Sequence, residues 1–303
     1  AKIISMQRNV TDVFNDEHVS YIRGDLTLDN LGLNHQQFNY LASTVDVIIH
    51  IGAMVNHLFG YHEHKQSNVI ATRDLINLAL TTKRKKLIFI STTGSCNHDL
   101  AKFDNAEFNA IKGYHGYYLS KMIAEKLVYA AFKQYGLSAS ILRLGYVAPN
   151  INNYDLNHST NHLYALFKSL CIKQVAPQNF GEFECLSVND IALHITKAIQ
   201  YNEFKVVKVA NQEVISWQQI YQLVEDVLTI QLTKLEKDRW IKEIIQEADP
   251  VQDDYLYKLI PLYTDENNPD NSYGYQDLVG EIKSSYDYAQ IVQSYIQAVI
   301  KFK

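Results

Sequence analysis

The amino-acid sequence predicts an α/β protein: a doubly wound parallel sheet in the first half, followed by a smaller, mostly helical C-terminal part. Two observations carry this. Short β-rich runs alternate with helix-period segments up to about residue 148, and the alternation then breaks into a polar, turn-rich stretch, "PNINNYDLNHSTNH", from Pro149. Strands separated by helices are parallel, because each crossover returns the chain to the same end of the sheet. Such a sheet carries its ligand-facing loops beyond the carboxyl ends of the strands.

Taken in order, the β-rich runs are residues 3–6, 19–22, 45–50, 86–91 and 139–144, and the second leads into Gly24-Asp25-Leu26. Residues 68–79 and 122–135 have apolar positions at helical spacing and serve as crossover helices. The expected domains are 1–150 and 151–303, with segments such as 184–215 packing back on the first. In the second part, Ser216-Trp-Gln-Gln219 has the form of a capping box, flanked by Ile215 and Ile220 at staple spacing, so a helix begins there. Residues 247–281 are acidic and carry Pro250, Pro261 and Pro269; a long surface loop is expected, with a lid as the alternative.

The totals narrow the function classes. A chain of 303 residues, 47% hydrophobic and 20% charged, buries a full core and makes one large domain or a large domain plus a smaller one. A net charge of −5 offers no whole-chain attraction to nucleic acid, and the run Lys83-Arg84-Lys85-Lys86 reads as a solvated helix end. Cys96, Cys171 and Cys185 have neither paired spacing nor even number, so they read as small buried hydrophobes in a reducing compartment. No apolar run approaches the ~20 residues of a membrane span, and the N-terminus lacks a signal-peptide pattern, so neither export nor a membrane anchor is expected.

The chemistry is sought in "GYYLSKMIAEKL", from Gly116. Four residues nearly complete a helical turn, an advance of about 6 Å, so Tyr117 and Lys121 point from one face. An ammonium beside a phenol favours the phenolate and lowers its pKa, making tyrosine a usable acid. Upstream, "KKLIFISTTGS" ends a buried strand in hydroxyls, and "VDVIIHIGAMVNH" ends another in Gly52-Ala53, small enough for a flat ligand to approach the backbone. Histidines 50, 57, 62 and 64 read as satisfied or solvent-facing, and no metal site is predicted. Tyr154, Tyr164, Phe167 and Phe183 read as core, with the lining of a channel as the alternative.

The order of Gly-Asp-Leu after a strand, then "LGL", "VDVIIHIGAMVNH", "SNVIATRDLINLAL", "IFISTTGS", Tyr117-x-x-x-Lys121 and "LRLGYV" resembles the extended short-chain dehydrogenase/reductases. Within them it looks most like the thioester reductase domains that end nonribosomal peptide synthetases. The likeness runs from about Ile3 to Val147 and continues weakly through "ECLSVNDIALHITKAI", residues 184–199. The Tyr-x-x-x-Lys element belongs to the whole superfamily, whereas "LGL" with "HIGAMVNH" and "NVIAT" is more specific.

The resemblance implies a Rossmann-like fold and assigns roles. Thr92 matches the strand-end Ser/Thr, with Ser91 and Thr93 as register alternatives; Tyr117 matches the general acid and Lys121 its ribose-binding partner. Asp25 and Leu26 match the loop beside adenine, Gly52 and Ala53 the backbone lining the dinucleotide, and Asn68 a helix residue behind the site. Arg8 matches the arginine that meets the NADP 2'-phosphate, where a planar guanidinium pairs two oxygens at once. The implied activity is NADPH-dependent reductive release of a peptidyl or acyl thioester, delivered on the phosphopantetheine arm of a carrier protein, as an aldehyde; a second reduction to the alcohol stays open. The family opens with a strand, a Gly-x-x-Gly-x-x-Gly turn and a helix, whereas this sequence opens at what matches the second strand and its 12 glycines include no such cluster. Either the sequence begins inside a longer domain or the element is lacking. The alternatives are therefore a carrier-docking module without catalysis, or a related reductase or epimerase acting on acyl-CoA or nucleotide sugar. The second part, from about Asn150, is expected to wall the substrate side.

Overall fold

The structure, a computed structural model, describes residues 1–9, 15–95, 100, 116–156, 161–178, 180–247 and 282–302. The chain divides into two compact units, one of Ala1–Leu142 with Ala198–Val206 and one of Arg143–Lys197 with Val207–Lys303.

In the first unit, β1 (Ile3–Gln7) pairs in parallel with β2 (Val19–Arg23), Ile3 opposite Val19 and Gln7 opposite Arg23. Separately, β3 (Val47–His50) pairs in parallel with β4 (Lys86–Thr92). These two belong to a four-stranded sheet ordered β10-β5-β4-β3, in which β5 is Ala139–Leu144 and β10 is Lys205–Val209. β3 starts two residues after the apolar run because Val45 closes helix α1 (His35–Thr44), its N–H bonded to Leu41 O at 3.2 Å. That helix escaped the sequence reading although its start is marked: Asn34 and Gln37 form a reciprocal capping box.

The first crossover is longer than its apolar periodicity. Helix α2 (Tyr61–His64) continues through a π-helical turn, Lys65–Ile70, into α3 (Ala71–Leu80). The second, α4 (Gly116–Tyr135), starts at Gly116 rather than at residue 122. Its first turn is aromatic and polar, so packing decides it: a Cβ on Gly116 would lie 2.1 Å from the carbonyl carbon of Gly60. Only a glycine lets the two backbones meet.

Between helices and sheet, Phe89, Leu87, Ile141, Val128 and Ala124 are fully enclosed, and Leu31, Leu41 and Leu75 form a neighbouring cluster with Ile4, Met6 and Ile22 against it. Each large side chain so enclosed contributes about 1.5–3 kcal/mol. The "LGL" turn holds Asn30, Leu31 and Gly32 at φ of 51°, 63° and 67°. Two of these lack a glycine's freedom; the Asp74 carboxylate accepts from Asn30 N at 2.9 Å, and Leu31 is fully buried. The basic run is spent on the fold: Lys83 pairs with Asp46, Arg84 donates to Tyr135 O, Lys85 to Thr81 O at 3.0 Å and Lys86 to Ile199 O at 3.1 Å. Lys85, 1% exposed, is thus a buried helix cap rather than a solvated one.

The second unit is mostly helical: α5 (His162–Lys173), α6 (Val188–Ala198), α7 (Trp217–Leu228), α8 (Lys237–Glu247) and α9 (Tyr288–Lys301). Three small strand pairs accompany them. β6 (Tyr146–Ala148) runs parallel to β9 (Cys185–Ser187), β7 (Val175–Pro177) parallel to β12 (Thr233–Leu235), and β8 (Glu182–Phe183) antiparallel to β11 (Ile215–Ser216). Its core is aromatic. Phe167 stacks on Tyr295 with centroids 4.3 Å apart, Tyr164 and Phe183 are buried with them, and Tyr154 packs against the cluster. The Ser216 capping box is formed, with Gln219 N on Ser216 Oγ at 3.3 Å and Ser216 N on Gln219 Oε1 at 3.0 Å. Cys185 is buried and Cys171 half-buried, as small hydrophobes. Cys96 and the acidic segment 248–281 lie outside the described residues.

Candidate active site

At the end of β4, Ser91 is buried, whereas Thr92, the last strand residue, and Thr93, in the turn after it, are both half-buried. Ser91 faces inward, 4% exposed, with its Oγ 3.3 Å from Ser95 Oγ. Thr92 is half-buried, and its hydroxyl accepts from Gly94 N at 3.3 Å, which leaves the O–H proton to donate elsewhere. Ser95 Oγ lies 2.7 Å from Thr92 O and 2.6 Å from Glu125 Oε1, so the loop after β4 is tied to α4. Gly94 rests on the Tyr118 ring, where a Cβ would come within 2.4 Å of Cε1.

Lys121, 2% exposed, reaches into the sheet: its Nζ donates to Ile90 O at 2.6 Å and lies 4.2 Å from the Phe89 ring centroid. Burial pulls its pKa down to about 7, against which the Glu125 charge acts to raise it. Tyr117 is half-buried in an aromatic nest, its ring 5.5 Å from those of His57 and Tyr118 and 6.0 Å from that of His64. The expected lowering of its phenol is not met. Burial pushes it up to about 12, and the ammonium is engaged by the Ile90 carbonyl instead. His50, behind Lys121, is pushed down to about 3 by burial and then by the Lys121 charge, and its Nε2 lies 3.2 Å from Thr72 Oγ1.

Asn68 sits in the π-helical turn, 1% exposed, with all its side-chain contacts inside the site. Its Oδ1 accepts from Met54 N at 2.8 Å, and its Nδ2 donates to Met54 O at 3.0 Å and Ser120 Oγ at 2.9 Å. Ser120 in turn donates to Tyr117 O at 2.6 Å. The loop after β3 is thereby joined to the first turn of α4.

The remaining predicted residues stand beyond the carboxyl ends of β1, β2 and β3. Arg8 is exposed, with its Nε 3.0 Å from Asp25 Oδ2. Asp25 Oδ1 accepts from Thr27 Oγ1 and N at 2.7 and 2.8 Å, bonds that hold its carboxyl below the usual range together with Arg8. Leu26 lies over Gly52, where a Cβ would meet Leu26 Cδ1 at 2.7 Å. The smallness of Gly52 therefore has a packing cause independent of any ligand. Ala53 follows, half-buried, and Ile51, Val55, Leu58 and Phe59 around it are exposed apolar side chains. Such a patch suits the face of a flat ligand. An exposed guanidinium on Arg8, the apolar loop after β3 and a strand-end hydroxyl on Thr92 are the kinds of group that the charged, flat and polar parts of a dinucleotide need.

Sequence reasoning missed Glu125 and Ser95, although the i to i+4 spacing of Lys121 and Glu125 was visible. It also left His64 undistinguished. That side chain is fully buried, its Nδ1 2.8 Å from Gly60 O and its Nε2 without a hydrogen-bond partner. A cleft of about 330 Å³ lined by Phe180, Glu182, Trp217 and Tyr221 lies in the second unit and includes none of the predicted residues.

Comparison with protein families matches residues 3–195 to the NAD-binding family described as male sterility protein. The chain belongs to that family. This family member is 34% identical over 140 residues to the L-2-aminoadipate reductase large subunit of Candida glabrata, covering 41% of the chain and 10% of that protein. It is 35% identical over 143 residues to the nonribosomal peptide synthetase asaC of Aspergillus flavus, covering 44% of the chain and 14% of that protein. The chain thus spans a small fraction of these curated relatives. In fold it is similar to the terminal R domain from the myxalamid PKS-NRPS biosynthetic pathway, with a TM-score of 0.74 over 94% of this chain and 75% of that one at 22% identity. Family and fold agree: the chain is a member of an NAD(P)-binding family with a Rossmann-like α/β fold, similar in fold to a terminal reductase (R) domain.

Proposed function

We propose that this chain reduces a carrier-protein-bound peptidyl or acyl thioester with NADPH and releases it as an aldehyde. The observation that carries the reading is the junction of β4 with α4. Thr92, with a hydroxyl proton to give, ends the strand whose Ile90 carbonyl anchors Lys121, and Tyr117 stands one turn before Lys121 on the helix tied to the Thr92 loop through Ser95. The named activity of the aminoadipate reductase and the terminal position of the myxalamid R domain support the reaction class, and the peptide synthetase relative supports a carrier-protein partner.

The dinucleotide, when bound, supplies hydride to the thioester carbonyl carbon. As negative charge grows on the carbonyl oxygen, Thr92 and Tyr117 donate hydrogen bonds to it. A phenol held neutral by burial keeps its proton until that oxygen is basic enough to take it, and Tyr117 then delivers it. Lys121 would hold the nicotinamide ribose and supply positive charge there, and the exposed guanidinium of Arg8 would hold the 2'-phosphate. The hemithioacetal then parts into aldehyde and free thiol.

The test is NADPH consumption against carrier-bound thioesters, acyl-CoAs and nucleotide sugars. Thioester turnover that falls two to four powers of ten in Tyr117→Phe is expected, the usual loss for a general acid. A preference for nucleotide sugars, or an unimpaired Tyr117→Phe variant, overturns the reading.

A further inference from the structure

Lys121 is placed at a cost its nearest contacts do not offset. Its ammonium has three N–H donors, yet its closest contacts are one carbonyl, Ile90 O at 2.6 Å, and the face of Phe89. Among the described residues, the groups on the elements around it are these. From β3 comes His50, kept neutral by burial; from β4 come a carbonyl and an aromatic ring; and the charged side chains of α3, Arg73 and Asp74, pair with one another. From its own helix come Tyr117, also neutral, and Glu125.

Glu125 lies one turn beyond Lys121 and is fully buried. A carboxylate is enclosed in this way only where its charge and its oxygens have partners. One oxygen is on Ser95 Oγ at 2.6 Å, and that hydroxyl also touches Thr92 O and Ser91 Oγ. The same carboxylate acts to raise the Lys121 pKa against burial.

We propose that Glu125 is the positioning residue of this site: its buried carboxylate, one helical turn beyond Lys121, sets its charge on the lysine's side of the helix and, through Ser95, fixes the loop carrying Thr92 against the helix carrying Tyr117. The inference rests on the proposed reaction only for what the charged lysine is used for. Its structural content stands apart.

The full chain labelled with ε-¹³C-lysine tests it by NMR titration, the Lys121 signal being assigned by its loss in Lys121→Arg. In Glu125→Gln the Lys121 midpoint is expected at least about one pH unit below wild type, a tenfold drop in proton affinity. A midpoint equal to wild type overturns the proposal. Should Glu125→Gln not fold, Glu125→Asp draws the charge back from Lys121, and a smaller downward shift is expected; no shift again overturns it. In the thioester assay, the high-pH limb of kcat/KM should move down by the same amount, whereas a residue that merely supports the fold would lower the whole profile without displacing it. Wild type that turns over no thioester while the NMR shift is present rejects the reaction and leaves Glu125 in its role.

Discussion

At the scale of single residues, chemistry follows from where a charged head comes to rest. The spacing of Tyr117 and Lys121 put both on one face of a helix, and they are on one. Spacing does not say where a four-carbon stem will lead, and here the ammonium turns to the Ile90 carbonyl, so burial rather than the lysine governs the phenol. Arg8 is the complementary case. Its guanidinium remains exposed while Asp25 meets it at Nε. Arg8→Ala should therefore cut the preference for NADPH over NADH by about 10- to 150-fold, the worth of about 1.5–3 kcal/mol for hydrogen bonds to a charged group. Initial rates with both cofactors measure it, and an unchanged ratio removes Arg8 from the 2'-phosphate site. Gly52 cautions against reading small residues as ligand space, since Leu26 fills the volume above it.

At the scale of elements, the strands were legible because each is a short β-branched or aromatic run bounded by polar turns, and the helix at Ser216 because its cap is written in four residues. The boxes at Asn34–Gln37 and Asp287–Gln290 carry the same signature and were equally readable. The π-helical turn was not. One extra residue in a turn leaves the apolar spacing of residues 68–79 almost unchanged, yet it rotates Asn68 to face both Met54 and Ser120. Asn68→Ala removes three hydrogen bonds and takes from the half-buried Met54 N–H and C=O their Asn68 partner. A loss of about 2–4 kcal/mol in urea unfolding is expected, and turnover should fall with it. Stability within about 0.5 kcal/mol of wild type would show that the loop after β3 does not depend on this side chain.

At the scale of the molecule, the two units carry buried groups whose effects on stability run in opposite directions with pH. In the first, His50 is pushed down to about 3, so its contribution is complete above its ordinary 6.5 and is lost as pH falls toward 3. In the second, Glu184 is fully buried, one oxygen accepting from Asn211 N at 2.6 Å and the other without a partner, and burial pushes its carboxyl up to about 7. Its contribution is complete below its ordinary 4.5. It is lost as pH rises through 7, because the unfolded chain ionises first. Glu184→Gln should thus leave stability near wild type at pH 4 and raise it at pH 8 by on the order of 3 kcal/mol, at 1.36 kcal/mol per pH unit. Denaturant melts at both pH values decide, and an equal effect at the two would remove the buried carboxyl as the cause.

By itself the sequence determined the succession of the main strands and helices, the parallel sheet, and the placing of Tyr117 and Lys121 one turn apart on one helix, because local propensity and spacing are properties of short stretches of chain. Only the tertiary structure decided that Ser91 is buried while Thr92 and Thr93 are half-buried, that Lys121 is bonded to Ile90, that the basic run caps backbone carbonyls, and that Glu125 and Ser95 tie the loop after β4 to α4. Those outcomes depend on what is buried beside what, across separations of up to more than a hundred residues, as between Lys86 and Ile199. Desolvation, which sets the charge of a buried group, has no local signature in the chain.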